Sequence, residues 1–390
     1  MSHIMPTYFN QFPVAFDHGK GAWLWDTEGK AYLDILSGIA VCSLGHAHPA
    51  VTKAITEQAS KLLHTSNTFR TPNQEKLAEK LCDVSGMEQV YFCNSGAEAN
   101  EAAIKLTRLY ARKKNIARPL VITMENSFHG RSMATLSATG AKRIQEGFEP
   151  LVDSFIHLPL NDMAALEKAV SENPNVIAIM LECLQGDGGL YAATPEYIRK
   201  IRSLCDEKDL LMIADEVQTG LCRTGKWFAF QHHNIMPDIV TLAKALGNGI
   251  PIGACMARGK ACNLFGPGKH GTTFGGNPFV CAVGIAVIET MQSENIAEHT
   301  KNISDYFVKQ LKDTIGNNPH VKNIRNIGLM IGIELDTEAF DIVPLGLKNG
   351  VLLNIVANKV IRLLPPLIIT EAEVDEMVVR LQKTIEDKFA

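Results

Sequence analysis

The chain has 390 residues, 46% hydrophobic and 21% charged, enough apolar material for a large core in two or three domains. Its 38 Lys and Arg stand against 42 Asp and Glu, a net charge of −4, so no basic excess points to nucleic acid and no polybasic run to a membrane surface. The longest apolar stretch, Phe279 to Ile288, falls far below the ~18 residues of a spanning helix.

The start, Met1-Ser2-His3-Ile4-Met5-Pro6, lacks the cationic and apolar regions of a secretory signal. Met5 reads as a candidate native start, with Met1 to Ile4 added ahead of it. Nine cysteines without a CxxC read as reduced thiols of a cytoplasmic protein. Residues 8 to 50 hold short strand-like pieces such as Ala22-Trp23-Leu24-Trp25. Helical periodicity follows over Pro49–Leu63 and Gln74–Val84. Val90-Tyr91-Phe92-Cys93 reads as a strand that runs through Asn94-Ser95-Gly96 into a helix over Ala97–Lys113, rich in strong helix formers and free of Pro and Gly. Strands are then expected at Leu120–Met124, Val176–Leu181, Leu210–Ala214, Ile239–Leu242 and Gly253–Ala257, alternating with helices. This alternation predicts an α/β fold with a mostly parallel sheet covered on both faces. After about residue 320 the pattern changes to a smaller α+β unit. Its expected strands are Gly328–Leu335, Val351–Val356 and Val360–Leu364, and its closing helix is Thr370–Phe389, where Thr370 and Glu373 fit a capping box.

Two residues stand out at strand ends. Asp215 closes the run Leu210–Ala214, and Lys244, 29 residues later, follows Asp238–Ala243. In an open α/β sheet, ligands bind beyond the carboxyl ends of the strands. A lysine there can lose its proton and attack a carbonyl, and a carboxylate can stabilise a positive ring nitrogen, the pairing a pyridoxal-phosphate (PLP) enzyme needs. An ordinary Asp and Lys at two strand ends would read the same way. Ser95-Gly96-Ala97 offers free N–H groups and a positive helix end to a phosphate, or is a plain N-cap. Phe128 and Arg131, in Asn126-Ser127-Phe128-His129-Gly130-Arg131, could supply a ring platform and a carboxylate clamp, or a surface loop with one packed Phe. Gly271 to Pro278 is a Gly- and hydroxyl-rich loop. His46 with His48, and His232 with His233, lack the further spaced ligands of a metal site, so no metal is expected.

Taken together these segments resemble the class III (ω-type) PLP-dependent aminotransferases. The matching motifs are Ser37-Gly38-Ile39-Ala40-Val41 to Gly45-His46-Ala47-His48-Pro49, His64-Thr65-Ser66-Asn67, Asn94 to Glu101, Phe128-His129-Gly130-Arg131, Asp215-Glu216-Val217-Gln218-Thr219-Gly220 with Lys244, Gly271 to Pro278, and Gly328-Leu329-Met330-Ile331-Gly332. Their order and spacing agree from about residue 7 to 388.

The resemblance implies a PLP fold type I chain. Residues 51–280 would form the large domain and 281–390 the small one, which 1–50 joins. It implies Lys244 as the Schiff-base lysine, Asp215 on the pyridinium nitrogen, Gln218 on the ring hydroxyl, and Ser95, Gly96 and Ala97 around the phosphate. Phe128 would stack on the ring. Thr273 would reach across to the other subunit's phosphate, hence a homodimer with shared active sites. Arg131 would clamp the α-carboxylate of N2-acetylornithine. Arg362 would bind the α-carboxylate of glutamate or 2-oxoglutarate, with Arg131 then taking the side-chain carboxylate. Siblings acting on succinylornithine, succinyl-diaminopimelate or ornithine share these features; an aminomutase and a PLP-binding protein without turnover are remoter alternatives. Two positions depart from the family pattern. Asp187 stands where a glutamate usually masks the glutamate-binding arginine, and its shorter stem predicts a looser, water-bridged contact to Arg362. Cys222 stands in place of a glycine.

Overall fold

The computed structural model describes Met5 and residues 11–390. Met1 to Ile4 lie outside the described residues. The core is a seven-stranded sheet built from β1 (Gln89–Cys93), β2 (Leu120–Met124), β3 (Phe155–Leu158), β4 (Val176–Leu181), β5 (Leu211–Asp215), β6 (Ile239–Leu242) and β7 (Gly253–Ala257), in the order β1-β7-β6-β5-β4-β2-β3. All strands run parallel except β7, which pairs antiparallel with both β1 and β6. The expected strands are all present, and β3 joins them.

Near-continuous apolar runs arise because both faces are covered. Leu211 and Ile213 point to the side packed by Ala102, Ala103 and Leu106 of the helix Gly96–Lys113. Met212 and Ala214 point to the other, with Ile198 and Ile201 of the helix Pro195–Glu207. The parallel strands therefore deliver their carboxyl ends, and β7 its amino end, to one edge of the sheet. Asn94, Phe128, Glu182 and Lys244 follow strands there, Asp215 ends β5 and Ile252 precedes β7.

A second sheet pairs Phe16–Lys20, Trp23–Asp26 and Ala31–Asp34 with Val351–Leu352, so the N-terminal segment is stitched to the C-terminal part of the chain. A third, antiparallel sheet holds Val321–Ile327, Met330–Leu335, Val360–Leu363 and Asn354–Val356. Two sequence expectations change here. The run Val351–Val356 is not one strand: the chain turns at Leu353 and passes from the second sheet to the third. Only Asn354 interrupts the apolar run, and its residues are buried or half-buried on both sides of the turn, so no exposed stretch marks the handover. Val321–Ile327 was not anticipated, since its Lys322, Asn323, Arg325 and Asn326 mask an edge strand on which Lys322 and Asn323 are exposed and the other residues half-buried. The closing helix Glu371–Phe389 begins at the expected capping box: Glu373 N–H donates to Thr370 Oγ1 at 3.3 Å, and Thr370 N–H to Glu373 Oε2 at 2.9 Å. The apolar stretch Phe279–Ile288 lies inside the helix Pro278–Ser293, which is mostly buried. No described helix is long and apolar enough to cross a membrane.

Candidate active site

Asp215 is the last residue of β5 and is almost fully buried. Its Oδ1 accepts from Val217 N–H at 3.0 Å, while Oδ2 accepts from His129 Nδ1 at 2.8 Å and Asn100 Nδ2 at 2.8 Å. Asn100 also donates to the His129 carbonyl at 2.8 Å, so helix Gly96–Lys113, the loop after β2 and the end of β5 meet on one carboxylate. Such a network fixes the orientation of the carboxylate before any ligand binds. Neither Asn100 nor His129 had been given a role from sequence. A signal existed for Asn100, a polar residue on the face that otherwise buries Ala99, Ala102 and Ala103.

Lys244 opens a single helical turn directly after β6 and takes a left-handed backbone, φ 42°. Bulky residues adopt that region at a cost, which the surrounding structure must support. Burial has the largest influence on its ammonium and lowers the pKa. Arg362 adds to that effect, Asp187, Asp215 and Glu182 oppose it, and the outcome is about 8.

The turn from β1 into helix Gly96–Lys113 forms a cradle. Ser95 caps the helix by accepting from Glu98 N–H at 3.1 Å. The N–H groups that follow it have no intrahelical carbonyl, and the helix end is positive. Gly96 packs so closely that a Cβ would sit 2.7 Å from Val217 Cγ1, which lets backbone line the cavity. Phe128 forms a wall, with the Arg131 guanidinium 5.8 Å from its ring centre. Buried Gln218 Oε1 has no partner. These residues enclose a cavity of about 410 Å³ lined by Ser95, Gly96, Ala97, Phe128, Arg131, Asp215, Gln218 and Lys244.

Arg362 and Asp187 form an ion pair near enough to Lys244 for both to act on its charge. Arg362 is fully buried, with Nη1 2.6 Å from Asp187 Oδ1 and Nε 3.3 Å from Asn354 Oδ1. The shorter aspartate thus reaches the guanidinium directly, and the expected water-bridged contact is replaced by a hydrogen-bonded pair. Burial works against its charge, but Arg362 and Lys244 hold the Asp187 carboxyl below its ordinary value. Glu182, also unassigned from sequence, lines the cavity and accepts from Phe128 N–H at 3.1 Å and Gly186 N–H at 3.2 Å. Burial pushes its carboxyl up to about 7, with Asp215 adding to the rise and His129 and the two N–H donors opposing it.

Thr273 does not join this cavity in its own chain. It is exposed in the loop 271–278, which is tethered by Asn94 Nδ2 to Thr272 Oγ1 at 3.1 Å and by Asn67 Nδ2 to the carbonyls of Thr272 and Gly275 at 3.0 Å. His46 is occupied by Asp34, Nε2 to Oδ2 at 2.7 Å. Cys222 adopts φ 69° in the core, which explains why glycine suits that position.

A lysine with a lowered pKa, a carboxylate locked at a strand end, a ring platform and an N–H cradle define a PLP-dependent enzyme of fold type I, and the donor set fits that cofactor. Residues 4–385 match the family model of class-III aminotransferases, and the chain belongs to that PLP-dependent family. It is 48% identical over 385 residues to the acetylornithine aminotransferase of Nitrosomonas europaea, covering 99% of this chain and 98% of the relative. It is 46% identical over 384 residues to that of Methanothermobacter thermautotrophicus, covering 98% and 96%. Among solved structures, N-acetylornithine aminotransferase from Stenotrophomonas maltophilia superposes with a TM-score of 0.85 at 35% identity, covering 97% of each chain. Ornithine aminotransferase from Toxoplasma gondii does so with 0.94 at 34% identity, covering 99% of this chain and 93% of that one.

The Lys244 environment carries a pH prediction. Only the neutral amine attacks an aldehyde, so capture of PLP by cofactor-free protein should quicken as pH rises to about 8 and then level off, followed by stopped-flow absorbance. A rate still climbing toward the ~10.4 of a free lysine would contradict the lowered pKa.

Proposed function

We propose that the chain transfers the δ-amino group of N2-acetylornithine to 2-oxoglutarate, giving N-acetylglutamate semialdehyde and glutamate, as an enzyme of arginine biosynthesis in the cytoplasm. The observation that carries this reading is the unequal state of two guanidiniums at one cavity. Arg131 is exposed and lines the cavity, whereas Arg362 is buried and covered by Asp187. A donor whose α-amine is acylated presents one carboxylate, which Arg131 takes in a bidentate pair while the distal amine extends toward Lys244. Glutamate and 2-oxoglutarate present two carboxylates. For them Asp187 turns aside, Arg362 takes the α-carboxylate and Arg131 the other. The names of the relatives support the same donor and the same family of reactions.

Bound PLP supplies the electron sink that stabilises negative charge at the carbon bearing the nitrogen. Lys244 Nζ would bind it covalently, and when displaced would take a proton from the substrate carbon and deliver it to the cofactor carbon on the other side of the nitrogen. Asp215 would keep the ring nitrogen protonated, and His129 and Asn100 keep Asp215 in place. Gln218 would meet the ring hydroxyl. Ser95, Gly96 and Ala97 would hold the phosphate, and Phe128 would cover one ring face.

We read residues 51–280 as the large domain and 281–390, with 1–50, as the small one. Thr273 belongs to a second subunit's site in this reading. Its loop carries an exposed Phe274, and Leu62, Leu63 and Phe69 are exposed apolar residues of the kind a homodimer interface covers.

A donor series with 2-oxoglutarate tests the reaction. The expected kcat/KM for N2-acetylornithine exceeds that for ornithine by at least about tenfold, because the α-ammonium of ornithine brings a second positive charge to the Arg131 side. Succinylornithine and succinyl-diaminopimelate complete the series. A preference for ornithine, or turnover without any keto acid, would overturn the assignment.

A further inference from the structure

The segment that carries Asp187 is the loop of a small hairpin, Leu184–Gln185 paired with Tyr191–Ala192. Downstream of Asp187 the loop is pinned by Arg325 Nε, which donates to the Gly189 carbonyl at 3.0 Å and the Leu190 carbonyl at 3.1 Å. The part left to turn is therefore Gly186–Gly188, and two side chains anchor it upstream: Gln185, whose Nε2 donates to the Glu125 carbonyl at 2.8 Å, and Glu182, which alone reaches the backbone of the turning part. Glu182 Oε1 takes the N–H of Gly186, the residue immediately before Asp187. Glu182 Oε2 takes the N–H of Phe128, the wall of the cofactor cavity. The fit on that side is tight, since a Cβ on Gly186 would collide with the Gln218 amide. One buried carboxylate thus ties the covering loop of Arg362 to the ring platform.

We propose that Glu182 is a positioning residue that holds the Asp187 gate shut and so sets how readily Arg362 is offered to a dicarboxylate. The proposal rests on the reading of Arg362 as the arginine that Asp187 masks. In its ionised form, which predominates above the value of about 7 to which burial raises it, Glu182 offers an oxygen to each N–H, and a hydrogen bond to a charged acceptor is stronger than one to a neutral amide, so the titrations below are run well above pH 7. Glutamine at 182 keeps one carbonyl oxygen but turns its NH₂ toward the other N–H donor, so one of the two ties is lost. The closed loop is then less favoured, and a ligand that needs the open state binds better by the gain in open population. A ligand that uses Arg131 alone gains nothing.

The test uses the PLP-loaded enzyme and two unreactive ligands, glutarate as the dicarboxylate and N-acetylnorvaline as the monocarboxylate, titrated through the cofactor absorbance. In Glu182→Gln the Kd for glutarate is expected to fall about tenfold, equivalent to about 1.4 kcal/mol, while that for N-acetylnorvaline changes less than about twofold. Asp187→Ala, which removes the mask itself, should lower the glutarate Kd at least as much. Should Glu182→Gln fold poorly, Glu182→Asp, which keeps the charge but shortens the reach, is expected to shift the ratio of the two constants in the same direction. If Asp187→Ala tightens glutarate and neither Glu182 variant does, the gate stands and Glu182 does not hold it. Equal weakening of both ligands would make Glu182 a support of the cavity wall and overturn the proposal. If Asp187→Ala leaves glutarate unchanged, the masking reading fails, and this proposal with it.

Discussion

Replacing Lys244 by alanine is expected to lower turnover by about 10⁴-fold, the upper end of what a positioned proton-transfer side chain contributes. The variant should also lose covalent attachment of PLP, so that borohydride reduction leaves the peptide around residue 244 at its unmodified mass. Both effects come from one atom. Lys244 Nζ sits in a cavity where burial and Arg362 lower its pKa to about 8, which leaves a usable fraction of neutral amine near pH 7. The surrounding acids, Asp187, Asp215 and Glu182, keep the fall from going further. Added methylamine restores a free base to the cavity and should recover part of the proton transfer without restoring the attachment. Full turnover of Lys244→Ala would remove the lysine from the chemistry.

Asp215→Asn is expected to weaken PLP binding by roughly 10²–10³-fold, the factor set by about 3–4 kcal/mol for breaking a buried charge pair. The asparagine keeps the shape but not the charge opposite the ring nitrogen. It also disturbs the groups that hold it, because Oδ2 now accepts from both His129 and Asn100. An amide that turns its oxygen to them sets its NH₂ against the Val217 N–H that Oδ1 now accepts, and one that turns its NH₂ to them leaves two donors unmatched. Equilibrium titration of cofactor-free protein with PLP measures the effect; an affinity within about threefold of wild type would mean that Asp215 does not carry a charge pair.

Much of this site is legible in the sequence alone. Asp215 and Lys244 follow apolar runs that read as buried parallel strands, and such strands expose their functional residues at one edge. The Ser95–Ala97 turn was legible for the same reason, lying between a strand and a strongly helical segment. Sequence reasoning lost track where a residue acts through tertiary contact alone. Asn100 and His129 are separated from Asp215 by 115 and 86 residues, and only folding brings them to its carboxylate. Glu182 follows β4, but its partners are backbone N–H groups, which leave no trace in side-chain pattern. Asp187 was expected to fall short of Arg362, because the missing methylene was weighed against a fixed backbone. The loop places Asp187 close enough for a 2.6 Å contact. In the smaller part of the chain, the handover at Leu353 and the polar edge strand Val321–Ile327 defeated periodicity because neither has one apolar face to report.

The most direct test of the central claim is the fate of one nitrogen. PLP-loaded protein is supplied with N2-acetylornithine labelled with ¹⁵N at the δ-amine, together with unlabelled 2-oxoglutarate, and the products are read by mass spectrometry. The account predicts ¹⁵N in the α-amine of glutamate, one labelled glutamate for each semialdehyde formed under turnover, and no more than one semialdehyde per active site, with no glutamate, when 2-oxoglutarate is withheld. Label retained in an isomer of the donor, or released as ammonia, would contradict it.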